Sequence, residues 1–218
     1  MRIAVLSETD GAETRVSATP ETVKKYKTLG ADVIVQAGAG AKAGIPDGEF
    51  EAAGASIAAS AADALNDADV VLRVRRPAQG ELSGAKPGAL VIAIMDPYGQ
   101  DEALKGLADA KVAAFAMELM PRITRAQVMD VLSSQANLAG YRAVIDASAE
   151  SGRAFPMMMT AAGTVPAARV FVMGAGVAGL QAIATARRLG AIVTATDVRP
   201  AAKEQVESLG GKFVAVED

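Results

Sequence analysis

Six residues late in the chain constrain its fold more than any others. Gly174-Ala-Gly176-Val-Ala-Gly179 follows the apolar run Arg169–Met173 and opens a helical pattern over 177–189 that Gly190 closes. In a strand–turn–helix unit each glycine has a reason. The first permits the tight turn, the second lets the backbone approach a pyrophosphate, and the third lets helix and strand pack closely, while the helix N-terminus presents free N–H groups. Asp197 stands 21 residues beyond Gly176, at the tip of the next strand, 192–196. Its carboxylate would accept from adenosine ribose hydroxyls. A 2′-phosphate there meets like charge, so NAD(H) is preferred over NADP(H), with the neighbouring Arg199 pulling the other way. The competing reading of the same glycines is a turn that serves packing alone.

The rest of the chain repeats this grammar. Strands are expected at 2–6, 32–36, 70–74, 89–95 and 111–116, with helices at 20–29, 49–53 and 61–66. Thr19 is the N-cap of the first helix, with Pro20 at N1. The α/β alternation implies parallel sheets with helices on their faces. Thr124 and Gln127 form a capping box ahead of a long helix running to Ser151. A loop over 155–168 then leads into strand Arg169–Met173, helix 177–189, strand 192–196, helix 201–209 and strand 213–216. At roughly 150 residues per domain the 218-residue chain holds about one and a half domains. The expected architecture is two Rossmann-like, doubly wound parallel-sheet domains joined by a long helix. The N-terminal α/β domain is 1–133; the second, 134–218, is cut after its third strand.

Composition excludes several chemistries. With no histidine and no cysteine, histidine or thiolate metal sites, serine–histidine and cysteine–histidine nucleophiles and disulfides are all ruled out, and no metal is expected. A net charge of −3 and 4% aromatic residues disfavour nucleic acid. The N-terminus lacks the apolar core of a signal peptide, so a cytoplasmic location is expected. The weakly charged stretch 155–186 exceeds the roughly 20 residues of a membrane span. Its prolines and glycines argue instead for strand, turn and buried helix end to end.

One further segment carries chemistry. Helical spacing from the capping box puts Gln127, Asp130 and Ser133 or Ser134 on one face, with Arg122 just before the helix. Such a stripe is either a capping pair with a solvated acid, or an amide and carboxylate set suited to a carboxamide and ribose.

The strings themselves are familiar. Met117-Glu-Leu-Met-Pro-Arg-Ile-Thr-Arg-Ala-Gln, Ser134-Gln-Ala-Asn-Leu-Ala-Gly-Tyr-Arg-Ala-Val, Phe155-Pro-Met-Met-Met-Thr-Ala-Ala-Gly-Thr and Gly176-Val-Ala-Gly-Leu-Gln-Ala-Ile-Ala-Thr-Ala resemble the alanine dehydrogenase/transhydrogenase family. Within it they look like the NAD(H)-binding component, the soluble N-terminal part of the α subunit, of proton-translocating NAD(P) transhydrogenases. Glu13-Thr-Arg15-Val-Ser-Ala-Thr-Pro20 is similar to the opening motif shared with alanine dehydrogenases. The resemblance implies a homodimer that holds NAD(H) beside NADP(H) on a partner component. Hydride passes directly between the two nicotinamides, coupled to proton movement through a membrane component. The location implied is cytoplasmic, peripheral on the inner membrane through those partners. Carried over by position, Arg122, Arg125, Gln127, Asp130 and Ser133 contact the nicotinamide end. Gly174, Gly176, Val177 and Gly179 contact the pyrophosphate, and Asp197, Val198 and Arg199 the adenosine ribose. No catalytic acid or base is required, because hydride transfer between two cofactors needs positioning and exclusion of water.

Alanine dehydrogenase is the enzymatic rival. It needs a histidine after the strand at 89–95, where this chain has Asp96, so amino-acid oxidation is disfavoured. Arg73-Val-Arg75-Arg76-Pro77 resembles the segment where those enzymes place a lysine for the substrate carboxylate. Arg75 therefore holds an anion, or the cluster is a solvated basic strand end. The family continues well beyond this length. A non-catalytic dinucleotide-binding or assembly fragment is accordingly the other alternative.

Overall fold

A computed structural model describes residues 1–215, in two compact units, Met1–Met129 and a second beginning at Asp130. The first unit runs β1 (Arg2–Val5), α1 (Pro20–Thr28), β2 (Asp32–Gln36), α2 (Asp47–Ala52), β3 (Ser56–Ala58), α3 (Ala61–Leu65), β4 (Val70–Arg75), β5 (Leu90–Ile94), α4 (Asp101–Asp109) and β6 (Ala113–Ala116). All six strands are parallel, in the order β3-β2-β1-β4-β5-β6. Both faces of the central strands are covered, which is why β5 and residues 3–5 of β1, 33–35 of β2 and 70–72 of β4 read as apolar runs rather than alternating. Ala4, Leu6, Ile34, Val71 and Val91 point into one core, and Ile3, Val5, Val33, Val35 and Leu72 into the other. Phe50 and Leu6, fully buried, each stabilise the fold by about 1.5–3 kcal/mol. Thr19 caps α1 in a reciprocal pair with Thr22, and Gly30, at φ 80°, turns the chain into β2.

The second unit runs α5 (Val131–Glu150), β7 (Met158–Thr160), β8 (Gly163–Val165), β9 (Arg169–Met173), α6 (Val177–Arg188), β10 (Ile192–Thr196), α7 (Ala202–Ser208) and β11 (Lys212–Phe213). Its parallel sheet has the order β11-β10-β9, and β7 and β8 form an antiparallel hairpin. The core gathers Val144, Phe155, Ile183, Val193 and Val206. α5 and α6 touch backbone to backbone: a Cβ on Gly140 would lie 2.1 Å from the Ala178 carbonyl oxygen. Among the described residues no helix is long and apolar enough to cross a membrane, and the stretch 155–186 divides into hairpin, β9 and most of α6.

Among the described residues β3, α4, the hairpin strands β7 and β8, and the short 3-10 turns Ala41–Ala43 and Met117–Leu119 have no counterpart in the expectations from sequence. The last expected strand is shorter than 213–216, and its Val216 lies outside the described residues. The capping box is a correction. Thr124–Met129 is a separate 3-10 helix, and α5 starts at Val131 with Asp130 as its N-cap. The Asp130 carboxylate accepts from the backbone N–H groups of Leu132 (2.8 Å) and Ser133 (2.9 Å). An ionised acceptor at the positive end of the helix dipole competes better than a threonine hydroxyl six residues earlier. The long helix belongs wholly to the second unit.

Candidate functional site

The glycine turn sits where β9 hands over to α6. Gly174 adopts φ 93°, a left-handed conformation costly for any residue with a Cβ, and its N–H continues the ladder to the Thr196 carbonyl at 2.8 Å. A Cβ on Gly179 would fall 1.8 Å from the Gly174 carbonyl oxygen, so helix and turn close only around glycine. At Gly176, the N-cap of α6, a Cβ would meet nothing within 4 Å. Among the described residues no side chain caps that terminus. The three glycines thus separate by role: one for conformation, one for packing, and one whose missing side chain leaves the helix N-terminus open to an outside group. An anionic pyrophosphate fits this turn, because the orphan N–H groups and the helix dipole favour negative charge there. Val177 is the first helical residue.

Asp197 comes to the same place from the tip of β10. Its Oδ2 accepts from the Ala175 N–H at 2.7 Å, tying the acid to the glycine turn. Its Oδ1 accepts from the Arg199 N–H at 2.8 Å and from Arg199 Nε at 3.0 Å, and Arg199 Nη2 reaches Oδ2 at 3.2 Å. The Arg199 guanidinium, with the two N–H groups, holds the Asp197 carboxyl far below the usual carboxylate range. Val198 projects into solvent. Gly174, Gly176, Val177, Gly179, Asp197 and Arg199 are therefore brought together at the carboxyl ends of β9 and β10, where open parallel sheets bind ligands.

The other expected group does not lie on one helix face. Arg122 precedes the 3-10 helix, Arg125 and Gln127 lie within it, and all three are exposed. Asp130 and Ser133 are in contact, the Ser133 hydroxyl donating to Asp130 Oδ2 at 2.7 Å. The single-face arrangement fails because the 3-10 segment ends before α5 begins.

The first unit has its own cleft, of about 550 Å³, at the carboxyl ends of β1, β4 and β5, where the strand order reverses. Acids and arginines line it together, Glu8, Asp10 and Asp96 with Arg73, Arg75 and Arg76. Buried Glu8 accepts from the N–H groups of Val74 (2.7 Å) and Arg75 (3.2 Å) and from Arg73 Nε at 3.2 Å. Arg73 also reaches Glu81 at 3.2 Å. Glu13 takes a two-pronged grip from Arg15, both contacts at 2.7 Å, and a third from Arg75 Nε at 3.1 Å. Arg15 is the main reason the Glu13 carboxyl is lowered to about 2. Arg76 donates to the carbonyls of Met95 and Asp96, while Glu118 accepts from the N–H groups of both. This double grip holds Asp96 at φ 44°. Arg73 is buried rather than a solvated strand end, and Arg75 is engaged by an internal carboxylate. Sequence reasoning missed Glu8, Glu81 and Glu118; Glu8 and Glu118 carry the signal of an acid placed just beyond a strand, and Glu81 carries none.

A doubly wound parallel sheet, followed by a βαβαβ unit with a glycine turn and a tip acid, defines the Rossmann-type α/β class. Residues 4–139 match the family model "Alanine dehydrogenase/PNT, N-terminal domain" and residues 143–218 the corresponding C-terminal domain. The chain belongs to the alanine dehydrogenase/PNT family. It is 58% identical, over its whole length, to the NAD(P) transhydrogenase subunit alpha (first of its parts) of Rhodospirillum rubrum, and it spans 58% of that protein. A solved transhydrogenase structure from Sinorhizobium meliloti superposes with a TM-score of 0.96 at 66% identity, over 99% of this chain and 64% of the other. An alanine dehydrogenase of Halomonas elongata stands further off, at 35% identity over 90% of this chain and 53% of its own length.

Proposed function

We propose that the chain is the NAD(H)-binding part of a proton-translocating NAD(P) transhydrogenase. The observation that carries this reading is the glycine turn with its three distinct glycine roles, tied to Asp197 through the Ala175 N–H. In this reading the turn holds the pyrophosphate, Asp197, Val198 and Arg199 meet the adenosine ribose, and Arg122, Arg125, Gln127, Asp130 and Ser133 serve the nicotinamide end. Bound NADH supplies the hydride, and NADP+ on a partner component receives it. The residues of this chain bind and orient; none moves a proton. The chain pairs as a homodimer and meets the membrane through its partners, on the cytoplasmic face. Kinship with relatives named transhydrogenase subunit alpha supports this reading. The test is transfer from NADH to an NADP+ analogue after adding an NADP(H)-binding component, with sedimentation to measure the dimer. Absence of transfer in that assay rejects the reading.

A second reading is a dinucleotide-binding module without transfer of its own, for which the glycine turn and Asp197 suffice. Calorimetric NADH binding without transfer in the complete assay would support it. Asp96 stands where alanine dehydrogenases need histidine, so no NADH oxidation with pyruvate and ammonia is expected.

A further inference from the structure

Two helices of the second unit carry the two halves of the site. α6 opens at Gly176, so the glycine turn moves with its axis; α5 opens at Asp130, which holds the Ser133 hydroxyl, so that pair moves with the axis of α5. The reach from one group to the other is therefore set by how α5 lies on α6. Of the twenty residues of α5, Gly140 and Val144 are the buried ones. Gly140 brings the two backbones together at Ala178, in the first turn of α6, and Val144 joins the apolar core. These contacts fix the separation of the helices but not their slide, because apolar contact has no direction. A hydrogen bond has one.

Asn137, one turn beyond Ser133, donates from Nδ2 to Gln181 Oε1 at 3.1 Å and so joins α5 to α6. The Gln181 amide cannot turn over. The hydroxyl of buried Thr185 gives its proton to the Gln181 main-chain carbonyl at 2.8 Å, and is left to accept from Gln181 Nε2 at 3.1 Å. The nitrogen of Gln181 thus faces Thr185 and its oxygen faces Asn137. We propose that Gln181 is a positioning residue: held by Thr185, it pins the register of α5 on α6 through Asn137 and so keeps Asp130 and Ser133 at a fixed reach from the glycine turn. This deepens, and rests on, the dinucleotide reading given above.

The test compares calorimetric titration of NADH with that of ADP-ribose, the same molecule without its nicotinamide, on the unmodified chain, Gln181→Leu, Asn137→Ala and the double variant. Both ligands use the turn and the ribose acid, and NADH alone uses the group on α5. The NADH-over-ADP-ribose affinity ratio is expected to fall about three- to tenfold in each single variant, the worth of one hydrogen bond, and no further in the double. A ratio that stays put, or two affinities that weaken in parallel, makes the bridge a merely structural one and overturns the proposal while leaving the cofactor reading intact. An unmodified chain that binds neither ligand overturns both, and one that binds the two equally removes the nicotinamide end and this proposal with it. Should Gln181→Leu lose its circular dichroism signature, Asn137→Ala, a change on an exposed helix surface, carries the same expected fall.

Discussion

A methyl group separates the two kinds of glycine in the turn. Gly179→Ala drives a Cβ into the Gly174 carbonyl and should lower unfolding free energy by roughly 1–3 kcal/mol. Gly176→Ala meets no protein atom, so its stability should stay within about 0.5 kcal/mol of the parent while NADH binding weakens at least tenfold. Paired chemical denaturation and titration measure both, and a Gly176→Ala chain that binds normally would remove the pyrophosphate from this turn. Titration supplies a second residue-scale expectation. The folded Glu13 carboxyl sits near 2 against an ordinary value of 4.5, so the folded state binds this proton less readily than the unfolded one. The stabilisation it gives is complete above pH 4.5 and is lost as pH falls toward 2. Glu13→Gln should be less stable at neutral pH and lose less stability across that window, as read from denaturation midpoints. The glycines and Asp197 were legible in the sequence because each has a local reason to be there. The partners of Arg73 and Arg75 were not, because Glu8 and Glu13 reach them across more than sixty residues of chain, and no local pattern marks which acid is buried.

The long helix shows what local signals leave open. The sequence signal marks a start at Thr124, whereas the structure makes 124–129 a 3-10 turn and begins α5 behind a fresh cap at Asp130. Asp130→Ala should therefore cost about 1 kcal/mol of stability, and Thr124→Ala less than about 0.5 kcal/mol. The reverse order in thermal or chemical denaturation would restore the start at Thr124. Elements with strong boundaries, such as α1 between Thr19 and Gly30, were readable to within a residue or so. Those lacking them were not. β3 has one β-branched residue in three, α4 carries Gly106 at its middle, and the β7–β8 hairpin consists largely of methionine and threonine between Pro156 and Pro166. Each forms because neighbouring strands or chain closure supply what propensity does not.

Both units build crevices by the same rule, at the carboxyl ends of parallel strands, yet their chemistry is opposite. In the first unit the chain leaves β1 through Ser7-Glu8-Thr9-Asp10, and the cleft is lined by Glu8, Asp10 and Asp96 together with Arg73, Arg75 and Arg76, the first two arginines held by Glu8 and Glu13. A pyrophosphate brought there would meet Glu8, Asp10 and Asp96, with Arg73 engaged by Glu8, Arg75 by Glu13 and Arg76 by the carbonyls of Met95 and Asp96. In the second unit the chain leaves β9 through glycine into an uncapped helix N-terminus, and the nearby acid, Asp197, is held to the side by Ala175 and Arg199. Fold alone therefore offers two nucleotide crevices, and side-chain charge selects one. Hydrogen exchange read by mass spectrometry resolves the choice. Saturating NADH should slow exchange over the glycine turn and the tip of β10, at residues 174–180 and 197–199, and leave the backbone of residues 73–76 and 94–96 unchanged. At the same NADH concentration that protection should weaken in Gly176→Ala and persist in Glu13→Gln. Protection centred on the β1–β4 cleft instead would transfer nucleotide binding to the first unit and overturn the assignment of the second.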